Sequence, residues 1–369
     1  MRIAIQPDTF RDRVYGDAAH SAPRWAAALE ARGHEVRQVD VYRADILEQL
    51  AGCDGFLWRH IHDVGMQQIA RRLLPVIERE LRLCVFPDQA TCWHYDDKIA
   101  QAFLLRALEI PTPDTWVWFE REDAERFARE AKVPLVMKLS TGAGSENVRR
   151  IDSAAEALEW IRILFSTGVT DLSDASFRPA PWGARVRAAA RTLLHGRPAH
   201  RHGLGRGGLH HGYVLFQQLV PDNAFDTRVT VIGRRAFGFR RFNRPGDFRA
   251  SGSGRLDHDP TQIDLATVRL AFETAQRMGT QSVAIDGLRD GAKPLVAEVS
   301  YTYQSQAVAD CPGHWELRGA PASGELTWVA GSMWPEDAQI EDFLVKLSAA
   351  SARSPACDER PDRGARGSR

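Results

Sequence analysis

Short apolar runs alternate with helical segments through residues 1–92, and that alternation is what a parallel sheet covered by helices requires. Residues 2–6, 35–41, 54–58 and 83–86 have the composition of strands. Between the first two lies a segment that opens on Ser21, carries Pro23 in its first turn and stops at Gly33, the punctuation of a helix. Residues 64–82 have the spacing of a second helix. The expected fold class is therefore α/β at the amino end, a doubly wound parallel sheet. No G-x-G-x-x-G follows the first strand, so no dinucleotide is assigned to it.

The chain has 369 residues, with 48 basic and 48 acidic side chains, so its formal charge is zero. A neutral chain has no global field to attract nucleic acid or anionic membrane, and any anion site must be local. Hydrophobic residues at 44% and charged residues at 26% are the balance of a folded globular chain. Cys53, Cys84, Cys92, Cys311 and Cys357 are scattered without a C-x-x-C pair, which fits reduced thiols. With no leader-like apolar segment and no run long enough to span a bilayer, the expected location is the cytoplasm.

Beyond residue 92 the pattern changes. A helical segment at 97–108 is stopped by Ile110-Pro-Thr-Pro113. Strands are expected at 115–119 and 134–139, a helix at 123–132, and a polar glycine loop at 140–147. These form a small α+β lobe within residues 93–215. Residues 176–216 hold seven Arg, five His and no acidic residue, and 176–212 has the look of a basic insertion. A larger lobe is expected over 216–351, with strands at 213–220, 227–232 and 235–242 and a helix at 265–278. Further strands at 283–285 and 295–299 are joined by an Asp290-Gly291 turn. Residues 352–369 have almost no large apolar side chains and are expected to be a disordered tail.

Three groups of residues are able to carry chemistry. Lys138 ends the core-type run Pro134-Leu-Val-Met and precedes Leu-Ser-Thr-Gly-Ala-Gly-Ser145, so its amine stands where a strand empties into a loop able to fold N–H groups over phosphate oxygens. Glu298 and Ser300 project from one face of a strand, and the hairpin brings Asp286 towards them. Two carboxylates together with substrate phosphates suit Mg2+, which seldom accepts an all-protein cage; two carboxylates paired to arginines are the competing arrangement. Asp226 and Arg228 share a strand face, and residues 240–249 hold four arginines, whose planar forks match phosphoryl and carboxylate oxygens.

Taken in order, Tyr95-Asp-Asp-Lys98, Val136-Met-Lys138, Phe216-Gln-Gln-Leu-Val-Pro221, Asp226-Thr-Arg228, Asp247-Phe-Arg249, Asp286 and Glu298-Val-Ser300 resemble the motifs of the ATP-grasp superfamily, most of all the RimK-like and glutathione-synthetase-like ligases. The likeness runs over residues 95–305, and residues 1–92 are similar to the pre-ATP-grasp domain. The resemblance implies a two-lobed ATP-grasp fold and an ATP-dependent ligase that makes an amide through an acyl phosphate. It implies that Lys98 and Lys138 meet nucleotide phosphates, that Ser140, Gly142, Gly144 and Ser145 belong to a closing loop, and that Gln217, Gln218, Leu219 and Val220 form the hinge beside adenine, with Asp226 near the ribose. By the same likeness Arg228, Arg241 and Arg249 steady the phosphoryl group and the carboxylate, and Asp286, Glu298 and Ser300 bind Mg2+, with Mn2+ as an alternative ion.

Ser300 stands where the family pattern has Asn, and Asp247-Phe-Arg-Ala-Ser251 ends on Ser where that pattern also has Asn. The partners implied are a small-molecule or peptide carboxylate and an amine, with no specific nucleic acid and no membrane span, and a homodimer is compatible. A kinase acting on a small molecule, or an ATP-binding module without catalysis, are the alternatives that the same residues leave open.

Overall fold

The computed structural model describes residues 1–8, 21–142, 147–170 and 209–353. Gly144, Ser145, most of the basic stretch and residues 354–369 lie outside the described residues. Strand β1 (Arg2–Ile5) is flanked by β2 (Glu35–Gln38) and β3 (Gly55–Leu57), and β4 (Cys84–Phe86) completes a sheet of order β2-β1-β3-β4. Every pair is parallel. Side chains alternate across the sheet: Ile3 and Ile5 pack with Trp25 and Leu29 on one side, while Ala4 and Phe56 pack with Leu74 and Ile77 on the other. The expected doubly wound sheet is present. The helix expected at 64–82 is α-helical only over Val64–Pro75 and continues as a π turn, Val76–Glu80.

The second sheet, β5-β8-β6-β7, joins β5 (Thr115–Trp118), β8 (Val214–Gln218), β6 (Leu135–Lys138) and β7 (Val148–Ile151) in antiparallel pairs. Leu135, Met137, Val214, Phe216 and Ile151 bury one face against the helices Arg121–Glu130 and Ala154–Leu164. The alternate residues Val136, Lys138, Leu215 and Gln217 are left for the opposite face.

The third sheet has order β13-β12-β9-β10-β14-β15, with β11 (Leu256–Asp257) added beside β10. Its strands are β9 (Phe225–Ile232), β10 (Arg235–Phe242), β12 (Ser282–Asp290), β13 (Lys293–Ser300), β14 (Gly313–Arg318) and β15 (Glu325–Ala330). The Asp290-Gly291 turn joins β12 to β13 as expected, but the hairpin is longer, pairing from Asp290 and Lys293 through to Ala284 and Ser300. Val229, Val231, Val283, Ile285 and Val299 pack on the helix Leu265–Met278. The last helix, Pro335–Arg353, returns to the first sheet, where Ile340, Phe343 and Leu347 join Ile3, Ile5 and Trp25. Burying each of these three side chains contributes roughly 1.5–3 kcal/mol, so the two ends of the described chain share one core.

Candidate active site

One face of β9, β10, β12 and β13 is spent on the helix behind it, and the other face carries charge. The register places Asp226 opposite Arg241, Arg228 opposite Asp286, and Asp286 opposite Glu298. Cross-strand partners share a face, so all five project together. Arg228 donates through Nε and Nη2 to the two oxygens of Asp286 at 2.7 and 2.9 Å. Arg241 holds Asp226 at 2.7 and 2.6 Å and reaches Asp286 at 2.7 Å. Burial alone would raise the carboxyl of Asp286, but the two guanidiniums outweigh it and hold that group far below the usual carboxylate range.

Glu298 is treated differently. The ladder slips between Asp286 and Gly287, which pair with Glu298 and Val296 and leave Ala297 as the extra residue of a bulge. The bulge keeps Glu298 open: its side chain is 38% exposed and its Oε1 lies 3.8 Å from the ammonium of Lys98.

Lys98 begins the helix Lys98–Ala107, capped by Asp97, whose side chain accepts from Ala100 N. Its backbone N–H donates to Ser140 O at 2.8 Å and its Nζ to Gly142 O at 2.7 Å. Gly142 has φ +126°, a conformation that favours glycine, and its N–H donates to Asp96 Oδ1 at 2.8 Å. Lys138 ends β6 on the cleft face, and among the described residues its ammonium has no hydrogen-bond or ion-pair partner. Burial and the neighbouring Lys98 lower its pKa, against the pull of Glu298 and Asp286.

A cavity of about 450 Å³ lies between the cleft face of the second sheet and the charged face of the third. Lys98, Lys138, Gly142, Gln217, Gln218, Leu219, Val220, Asp226, Arg241, Arg249, Asp286 and Glu298 line it, so most of the residues singled out from the sequence converge here. Ser140, Arg228 and Ser300 are not among its walls. Ser140 underlies the loop, Arg228 points into the carboxylate of Asp286, and the Ser300 hydroxyl donates to Thr302 O at 2.8 Å. Arg249 pairs with Asp247 at 2.7 Å. A second cavity of about 600 Å³ shares Lys98, Lys138, Gln217, Ala297 and Glu298 with the first.

Sequence reasoning missed Asp96, His210 and Tyr213 as supports of the site, and it missed the pairing of Asp226 with Arg241. The only sequence signal for Asp96 is its place beside Lys98, while His210 is hidden in a run of basic residues. For a divalent cation the donors are of the right kind: hard carboxylate oxygens, one group open to the cavity and one with lone pairs left beyond its arginine bonds. Among the described residues no group of three His, Cys, Asp or Glu side chains is close enough to hold a metal ion, so oxygens from a bound substrate would have to complete the shell.

No family model matches the sequence. Among solved structures the chain is similar to a RimK domain ATP-grasp protein from Sphaerobacter thermophilus DSM 20745, at 18% identity and TM-score 0.51 over 94% of this chain and 100% of that one. It is similar to the D-alanine–D-alanine ligase of Bacillus anthracis, at 12% identity and TM-score 0.56 over 96% and 100%. It is also similar to the ATP-grasp ligase PsnB in complex with a minimal precursor, Mg and ADP, at 14% identity and TM-score 0.53 over 94% and 98%. The chain has the ATP-grasp fold. Among the described residues no helix is long and apolar enough to cross a membrane.

Proposed function

We propose that this chain is an ATP-dependent carboxylate–amine ligase working with Mg2+. The observation that carries the reading is the meeting of Lys98 and Lys138 with Asp286 and Glu298 on the walls of one cavity between two sheets. The shared fold with a ligase solved with Mg and ADP supports it.

Lys98 and Lys138 supply positive charge to phosphate oxygens. The floor of the cavity, with Gln217 to Val220 at its edge, offers apolar and backbone groups to a base, and Asp226 accepts from a sugar hydroxyl. Asp286 and Glu298 would hold Mg2+, which neutralises phosphate charge when bound, and Ser300, two residues beyond Glu298 on the same face of β13, is the further oxygen donor that the family likeness implies. The γ-phosphoryl group of ATP passes to a substrate carboxylate, leaving ADP and an acyl phosphate; an amine then attacks the acyl carbon, expelling phosphate and giving the amide with loss of a proton. Arg241 and Arg249 stand on the cavity wall where they stabilise transferring negative charge. No side chain is used as a nucleophile, so catalysis rests on positioning. The substrates are a small-molecule or peptide carboxylate and an amine.

The test is ADP release over a panel of amino acids and short peptides, with and without hydroxylamine. A carboxylate that drives ADP release and yields a hydroxamate supports the ligase; phosphorylated alcohol without hydroxamate makes it a kinase, and no turnover with any acceptor makes it a binding module.

A further inference from the structure

The first turn of the glycine loop is held from behind by a buried polar pair. His210 is 5% and Tyr213 8% exposed, and both follow one another closely just before β8. Ser140 N donates to the Tyr213 hydroxyl at 2.8 Å, and that hydroxyl lies 2.7 Å from His210 Nδ1. The same ring nitrogen is 3.2 Å from Ser140 Oγ, and Nε2 is 3.3 Å from Thr141 Oγ1. The shortest contacts fit a ring with the proton on Nε2: Tyr213 accepts from Ser140 N and donates to Nδ1, while Nε2–H donates to Thr141 Oγ1. Such a ring is neutral, and burial, with Lys98 nearby, lowers the pKa of His210 in agreement.

These contacts matter because of what the loop holds in turn. Ser140 O accepts from Lys98 N, and Gly142 O accepts from the Lys98 ammonium. Asn147 Nδ2 closes the other side of the loop on Thr141 O at 2.9 Å. Ser140 is thus tied at both its N–H and its carbonyl, and the N–H partner, Tyr213, stands 73 positions away in the chain.

We propose that His210 and Tyr213 are positioning residues of the nucleotide site, fixing the entry of the glycine loop so that Lys98 and Lys138 meet the phosphates together. This rests on the reading of the cavity as a nucleotide site. Neither side chain touches the ligand in this account; both act through Ser140 and Thr141.

The test uses the full chain and three variants, Tyr213→Phe, which removes only the hydroxyl, His210→Gln and His210→Ala. The probe is AMPPNP with Mg2+, followed by calorimetry, together with backbone hydrogen exchange over residues 139–147. Loss of one such bond is expected to weaken nucleotide binding about tenfold and to speed exchange at the Ser140 amide, with the unfolding temperature of Tyr213→Phe near wild type and the KM for the carboxylate unchanged. His210→Gln, which keeps one donor and one acceptor, is expected to fall between wild type and His210→Ala. Wild-type affinity and wild-type exchange in Tyr213→Phe would overturn the proposal. If the unaltered chain binds no nucleotide while Tyr213→Phe still speeds exchange at Ser140, the nucleotide reading is what fails, and with it the assignment of this clamp to phosphate binding.

Discussion

Asp286 and Glu298 face each other across the β12–β13 ladder, yet one is closed and the other open: Asp286 is held by two arginines, while Glu298 is 38% exposed with Lys98 at 3.8 Å. Removing each therefore has a different consequence.

Glu298 stabilises the fold little, because an exposed carboxylate at this distance from an ammonium contributes at most about 1 kcal/mol. Its proposed part in the reaction is large. Glu298→Gln is expected to lower ADP release by about 10²-fold or more with the thermal unfolding midpoint near wild type. A variant that keeps full turnover would remove Glu298 from the site.

Arg241 should behave in the opposite sense. It is 5% exposed and joins Asp226 to Asp286. Arg241→Ala leaves two buried carboxylates short of a partner and is expected to cost about 3–5 kcal/mol of stability, read from urea unfolding. Arg241→Lys offers one ammonium where a planar fork met two acids, and should recover less than half of the loss.

Ser300 gives a graded test of the cation. Its hydroxyl donates to Thr302 O but retains lone pairs. Ser300→Ala is expected to raise the Mg2+ concentration for half-maximal turnover several-fold, and Ser300→Asn to lower it. Equal Mg2+ dependence in all three proteins would leave Asp286 and Glu298 as the only metal candidates on β12 and β13.

Stability should fall as the solution turns acidic, through two buried histidines. Burial lowers His60 to about 3 and His94 to about 4, from an ordinary value near 6.5. A depressed folded pKa gives stability that is present above the unfolded value and is lost as pH falls from there towards the folded one. Each ring therefore takes away up to about 1.4 kcal/mol per pH unit over that interval. In unfolding measured against pH, His60→Gln or His94→Gln should flatten the slope by one proton; an unchanged slope would mean the rings are charged in the fold.

Much of this architecture is legible in the sequence because it is local. β10 and the helix Leu265–Met278 have the bounds expected of them: the helix turns its apolar residues to one core, and β10 sends Ala236 to that core and Phe237 and Phe239 to a second one. The turn at Gly291, with φ +57°, is where glycine is needed. The β14–β15 hairpin and the last helix were not anticipated. That helix is fixed by Phe343 against Ile3 and Ile5, a contact between opposite ends of the described chain. In the site, residue types and order pointed to the cavity, but the Arg241 bridge, the Ala297 bulge and the His210–Tyr213 clamp depend on strand register and on long-range contacts. A one-residue slip leaves no mark on composition.

The most direct test of the account is a calorimetric titration of AMPPNP with Mg2+ into the unaltered chain and into Lys98→Ala/Lys138→Ala. The account predicts one saturable site per chain in the former and its loss in the latter. Binding of equal strength to both proteins, or to neither, would contradict it.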